Sequence, residues 1–159
     1  LRRNGIIHKD ILIPDSKSEI RKTIIATRRK RMIKHRVMII DDEINAVDLL
    51  KHRLESEGYQ VLALLNAKEI ISEVHRFLPD IIILDLLMPE LGGLDACEML
   101  NKDPVGQSTP IIVVSGLNKD IDKKKAYVMG IQEYFVKPVD IEVLLQAIRK
   151  YIKEKEEEG

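Results

Sequence analysis

Apolar residues fall along this chain in two alternating patterns. Five short runs are almost continuously apolar and rich in β-branched side chains: Val37-Met38-Ile39-Ile40, Val61-Leu62-Ala63-Leu64, Ile81-Ile82-Ile83-Leu84, Ile111-Ile112-Val113-Val114 and Tyr134-Phe135-Val136. They predict five strands buried on both faces, as in a parallel sheet covered by helices on each side. Between them lie amphipathic stretches at about 43–57, 67–77, 92–101, 119–129 and 140–153, each with the period of a crossover helix. The last places Ile141, Leu144, Leu145, Ile148 and Ile152 on one stripe. Gly58 and Gly130 follow helices where a left-handed residue is wanted, and Pro79 and Pro110 stand just before strands. Asn66 with Glu69, and Asp140, mark helix starts. A five-fold β-α alternation with right-handed crossovers predicts an open α/β sandwich.

In an open parallel sheet the reactive crevice lies at the carboxyl ends of the strands, so the residues that end each run matter most. The first run ends in Asp41-Asp42-Glu43, the third in Asp85, the fourth in Ser115-Gly116 and the fifth in Lys137-Pro138. A parallel sheet brings all of these to one edge. Carboxylates held within a few ångströms of one another repel, so either they take up protons or a cation neutralises them. A hard divalent ion such as Mg²⁺ suits carboxylate and carbonyl oxygens and completes its shell with water or phosphate oxygen. Lys137 adds a positive charge and Ser115 a hydroxyl donor. Together these groups suit a transferring phosphoryl group, whose charge is spread over three oxygens. The nucleophile at that edge is then a carboxylate, because no Cys, His or Ser-His-Asp arrangement reaches it.

Composition sharpens this picture at one point. The chain has 159 residues, 45% apolar and 33% charged, which fits one domain of ordinary size with a short appendage. Its net charge of zero conceals an asymmetry: residues 1–36 carry +9 and the remainder −9. A basic arm attached to an acidic globule is therefore expected. No apolar run is long enough for a membrane helix, and no secretory pattern follows the two arginines of Leu1 to Gly5. The single cysteine, Cys97, suits a reducing compartment, so a cytoplasmic location is expected.

The motifs Val37-Met38-Ile39-Ile40-Asp41-Asp42-Glu43, Ile83-Leu84-Asp85-Leu86-Leu87-Met88-Pro89, Gly92-Gly93, Ile112-Val113-Val114-Ser115-Gly116 and Gly130 through Pro138 resemble the receiver domain of two-component response regulators. The likeness covers about residues 36–153 and rests on five ordered motifs rather than one. It implies a flavodoxin-like, doubly wound, five-stranded parallel sheet of order 2-1-3-4-5. It also implies that Asp85 is the phosphoacceptor, and that Asp41 and Asp42, with Asp85 and the Leu87 backbone carbonyl, hold Mg²⁺. Lys137 would contact the phosphoryl oxygens, with a cis bond to Pro138. Ser115 would be the switch hydroxyl, and Tyr134 the aromatic whose rotamer follows it. The implied partners are a histidine kinase or histidine phosphotransfer protein and an output partner. The surface that switches would be made by the fourth helix, fifth strand and fifth helix, about 119–153, where a homodimer can also form. Such a protein signals and is not a turnover enzyme beyond its own phosphorylation and slow dephosphorylation.

Each residue has a plainer reading as well. Asp41 and Asp42 could cap the first helix, Asp85 and Ser115 could be turn residues, Lys137 a solvated surface lysine and Tyr134 core. Cys97 and Met99 read as packing, and Lys123-Lys124-Lys125 as a wet helix face. His52 and His75 lack metal-like spacing. Two rivals from other classes are an Mg²⁺-dependent phosphatase with an aspartate nucleophile and a pseudo-receiver that is never phosphorylated. The first wants a carboxylate two residues after the nucleophile, where this chain has Leu87; the second is disfavoured by the intact acidic pair, Asp85 and Lys137. Leu87 and Leu117, both apolar at positions where polar side chains help orient water, predict slow self-hydrolysis.

The arm, 1–35, lies outside the likeness. Ser18 to Lys34 predicts a helix capped by Ser18, with Ile20, Ile24, Ile25 and Met32 partly on one side and a basic cluster at Arg28-Arg29-Lys30-Arg31. It lacks the aromatics and helix-turn-helix of a nucleic-acid binder, so a linker or the tail of an upstream domain is preferred over a DNA contact. A first residue of Leu rather than Met suggests a fragment. The segment 154–159 reads as a short charged tail with no output domain after it.

Overall fold

A computed structural model describes residues 17–22 and 34–159. The chain divides into two units, Leu1–Ile33 and Lys34–Gly159. In the first, residues 17–22 are helical, with Lys22 paired to Glu19 at 3.2 Å. Ser18 lies inside that helical stretch rather than before it. The basic cluster 28–31 and the rest of the predicted arm helix up to residue 33 lie outside the described residues.

The second unit alternates strand and helix: β1 (Arg36–Ile40), α1 (Ile44–Ser56), β2 (Gln60–Leu64), α2 (Ile70–Phe77), β3 (Ile81–Leu84), α3 (Gly93–Lys102), β4 (Ile111–Ser115), α4 (Asp120–Val128), β5 (Glu133–Val136) and α5 (Ile141–Glu158). A one-turn helix, Pro104–Gln107, follows α3 and is capped by Asp103, which accepts from the Val105 and Gly106 amides. The strands form one sheet in the order β2-β1-β3-β4-β5, every pair parallel. This is the doubly wound order expected from the motifs.

Side chains alternate along each strand, so a continuous apolar run feeds two cores. Met38, Ile40, Ile82, Leu84, Ile111 and Val113 pack under α2, α3 and α4 with Ile70, Val74, Cys97 and Leu100. Val37, Ile39, Ile81, Ile83, Ile112 and Val114 pack under α1 and α5 with Val47, Leu54, Leu144 and Ile148. The central strands β1, β3 and β4 are buried almost throughout, whereas the edge strands β2 and β5 are half-buried. Apolar continuity thus marks sheet membership, and position in the sheet sets the depth.

Two boundaries differ from expectation. Asn66 does not start α2: its Oδ1 accepts from the Lys68 amide at 3.1 Å, closing a local turn, and the helix begins at Ile70. Asparagine's side chain competes with the backbone in this way as readily as it caps. At the other end, α5 runs to Glu158, so the segment 154–159 is helical except for its last residue. Lys and Glu are good helix formers, and Lys153 pairs with Glu157 one turn on, so the helix outlasts its apolar stripe. Gly58 and Gly130 adopt φ of 93° and 86°, as their positions required. Asp140 caps α5 by accepting from the Glu142 amide at 2.8 Å. No helix among the described residues is long and apolar enough to cross a membrane.

Candidate functional site

Parallel register places the strand ends side by side. Ile40 of β1 faces Leu84 of β3, so the next residues, Asp41 and Asp85, leave the sheet together, and the Asp85 amide donates to the Ile40 carbonyl at 2.9 Å. Ser115 of β4 faces Val136 of β5, and the Lys137 amide donates to the Ser115 carbonyl at 2.9 Å. Four strands therefore deliver Asp41, Asp42, Asp85, Ser115 and Lys137 to one edge. Asp41, Asp85 and Ser115 are buried, while Asp42 is exposed.

Lys137 Nζ lies 2.7 Å from Asp41 Oδ2 and 3.0 Å from Asp85 Oδ2, with Glu43 at 3.8 Å. Burial alone would lower this ammonium's pKa, but the bonds and charges of Asp41 and Asp85 outweigh it and raise the value above the ordinary lysine range. The remaining oxygens are held by backbone. Asp41 Oδ1 accepts from the Glu43 amide at 2.9 Å and Asp85 Oδ1 from the Leu87 amide at 3.0 Å. Asp41 does not cap α1, whose N-cap is Glu43 without a side-chain bond. Asp85 does close a turn, yet its second oxygen is spent on a lysine 52 residues away, which a mere turn residue has no need of.

Asp41, Asp42 and Asp85 each offer a carboxylate oxygen, all within 4.8 Å of one another. Hard oxygen donors in that number, only partly neutralised by one lysine, fit a small divalent cation such as Mg²⁺. A largely apolar cleft of about 590 Å³ lies beside the cluster, between α1 and α5, with Asp41, Asp85 and Lys137 at one end.

Tyr134 sits on β5 against the core under α4, and its hydroxyl donates to the Leu117 carbonyl at 2.7 Å. Burial raises its pKa, opposed by the nearby Ser115 hydroxyl. Ser115 Oγ in turn accepts from the Leu117 amide at 3.4 Å. Leu117 thus links the two predicted switch residues through its backbone, while Leu87 projects a side chain 51% exposed at the rim. The Lys137–Pro138 bond is cis.

Gly93 holds the loop that carries Asp85. A Cβ there would stand 2.4 Å from the Asp85 carbonyl oxygen and 2.5 Å from Leu86 Cα, so only glycine lets α3 approach so closely. The Gly92-Gly93 doublet belongs to the motif pattern, but its role in positioning Asp85 emerges only from this contact. The place of Glu43 beside Lys137 likewise emerges only from the fold.

The other candidates fall away from this edge. Cys97 is fully buried, and burial pushes its thiol up to about 12, which leaves it unreactive. Met99 packs at the margin of the α2–α4 core, and Lys124 and Lys125 are exposed. His52 is exposed; His75 pairs with Asp103 at 2.7 Å.

The sequence matches the family profile described as response regulator receiver domain over residues 37–149. It is 34% identical to protein PilH of Pseudomonas aeruginosa over 71% of this chain and 93% of that protein. It is 33% identical to the response regulator ArlR of Staphylococcus aureus over 74% of this chain and 52% of that protein. A solved receiver domain protein, CheY-like, from Methanospirillum hungatei superposes with a TM-score of 0.74 at 27% identity, covering 79% of this chain and 99% of that one.

Proposed function

The chain belongs to the response regulator receiver domain family of two-component signalling, and on that footing we propose that Asp85 accepts a phosphoryl group from a phosphohistidine of a kinase or phosphotransfer protein. The observation that carries this reading is the state of Asp85: buried, one oxygen on Lys137, the other on the Leu87 amide, beside two further carboxylates. Its orientation is fixed before any donor arrives, which lowers the entropic part of the barrier.

In the reaction a carboxylate oxygen of Asp85 attacks phosphorus in line. The new P–O bond forms as the P–N bond to the donor imidazole breaks, and the electron pair returns to the ring nitrogen. Lys137, already bridging Asp41 and Asp85, offsets charge on the phosphoryl oxygens. Asp41, Asp42, Asp85 and the Leu87 carbonyl would hold Mg²⁺, which supplies further charge neutralisation when bound.

Once Asp85 is phosphorylated, the Ser115 hydroxyl donates a hydrogen bond to a phosphoryl oxygen, and Tyr134 follows the change through Leu117. That local event biases the α4-β5-α5 surface. Ile121, Tyr127 and Val128 of α4 and Val143 of α5 are exposed, which supports a docking role for an output partner or a second copy. Residues 36–153 are the receiver unit of this reading, with 1–35 a linker or extension and a cytoplasmic setting for the whole.

Incubation with phosphoramidate and Mg²⁺ tests it. The wild-type chain should take up one phosphoryl group and Asp85→Asn none; multiple turnover of a phosphomonoester would favour a hydrolase instead.

A further inference from the structure

The outward face of α4 departs from the pattern of the other helices. Ala126 is the residue that α4 buries, and the side opposite it carries Ile121, Lys124, Lys125 and Val128. Their spacing of i, i+3, i+4 and i+7 sets them on one stripe about 10 Å long. Solvent reaches 55% of Ile121 and 82% of Val128. A merely solvated lysine face has no use for two β-branched apolar residues, which lower helix propensity and gain nothing in water. The two lysines are also unlike their counterparts. Arg76 of α2 pairs with Glu73, Lys102 of α3 with Glu98 and Lys153 of α5 with Glu157, each about one turn away on its own helix. Lys124 and Lys125 make no ion pair among the described residues, although Asp120 and Asp122 occupy the first turn of α4. The chain beyond residue 36 carries −9, so this stripe is a cationic island on an acidic unit.

We propose that this stripe docks an acidic amphipathic helix of the output partner. Apolar side chains of that helix settle on Ile121 and Val128, and Asp or Glu residues between them meet Lys124 and Lys125. The stripe itself holds no carboxylate, so these ion pairs form only when the partner supplies the acids. A second copy fits poorly, because a twofold contact is isologous and would bring Lys124 and Lys125 against their own like charges. The rest of the acidic unit repels the partner's carboxylates, which favours α4 over its other faces. The inference rests on the reading that phosphorylation of Asp85 biases the α4-β5-α5 surface. The path between them is short: Tyr134 bonds the Leu117 carbonyl shortly before Asp120 starts α4.

The probe is a synthetic helix of about 20 residues with leucines at the matching spacing and glutamates between them. Its binding to the full chain is followed by fluorescence anisotropy before and after labelling with phosphoramidate and Mg²⁺, and the label is weighed on the same samples. The glutamate peptide should bind the labelled chain on the order of tenfold tighter than its glutamine counterpart, and about fivefold tighter than it binds the unlabelled chain. Lys124→Glu with Lys125→Glu should remove most of the glutamate advantage. Val128→Ser should weaken binding severalfold without moving thermal unfolding, since Val128 faces solvent. Binding indifferent to these substitutions would belong to the basic arm and would overturn the inference, as would a dimer that Val128→Ser dissolves. A labelled chain that ignores the peptide also overturns it and leaves the reading of Asp85 intact. Binding that depends on the stripe in a chain that takes no label keeps the docking and removes that reading.

Discussion

Replacing Gly93 by alanine tests how tightly the loop that carries Asp85 is built. The new methyl would lie 2.4 Å from the Asp85 carbonyl oxygen and 2.5 Å from Leu86 Cα, about 1 Å inside ordinary van der Waals contact. Both neighbours are backbone, so no rotamer change relieves the clash. Either α3 shifts outward or the Asp85–Leu86 segment moves. Overpacking of this kind costs about 1–3 kcal/mol, partly offset by alanine's better helix propensity. The effect on chemistry is larger, because a displacement of about 1 Å in a reacting group slows transfer on the order of a hundredfold. Gly92→Ala is the matched control: its Cβ would meet only Asp95 Oδ2, at 3.5 Å. Urea denaturation and the rate of labelling by phosphoramidate read the two consequences separately. If Gly93→Ala unfolds with Gly92→Ala and is labelled at the wild-type rate, the loop is not held by this contact.

Four further outcomes are expected. Lys137→Met should slow labelling on the order of a hundredfold or more, since it strips the cation that, among the described residues, touches both Asp41 and Asp85; labelling at an unchanged rate would contradict that role. Tyr134→Phe should cost about 1 kcal/mol by urea denaturation, the value of the lost bond to the Leu117 carbonyl. Leu87→Asn should shorten the lifetime of the phosphorylated form, measured by loss of label after donor removal, and an unaltered lifetime would remove the link between apolar rim and slow hydrolysis. The Asp103 carboxyl is held below the usual range by its bond to His75 and then by the Gly106 amide. Its contribution to stability is therefore full above the ordinary carboxylate pKa and fades as pH falls through the depressed value. Asp103→Asn should flatten that acid limb of a stability–pH curve.

Much of this architecture is legible in the residues because a parallel sheet writes itself twice. Runs such as Ile81 to Leu84 announce a strand buried on both faces, and the residue that ends each run must then lie at the reactive edge. Asp41, Asp85, Ser115 and Lys137 follow from that rule alone. What the pattern misses depends on neighbours distant in sequence. Half-burial of β2 and β5 is a property of edge position, not of composition. The bond from Tyr134 to the Leu117 carbonyl and the steric role of Gly93 arise where loops meet, and no period marks them. The ion pairs from Arg53 to Glu142 and from Arg149 to Glu57 join α1 to α5 across about half the chain, and nothing local selects those partners. Apolar spacing marks α5 only as far as Ile152, whereas helix propensity carries it through the charged residues to Glu158.

The central claim concerns one covalent bond. Protein labelled with phosphoramidate is reduced with borohydride, which converts an aspartyl phosphate to an alcohol, and the digest is sequenced by mass spectrometry. The reduced residue should be found at position 85 and nowhere else. A labelled chain whose Asp85 peptide is unaltered, with the reduction at Asp41, Asp42 or another carboxylate, would contradict the account.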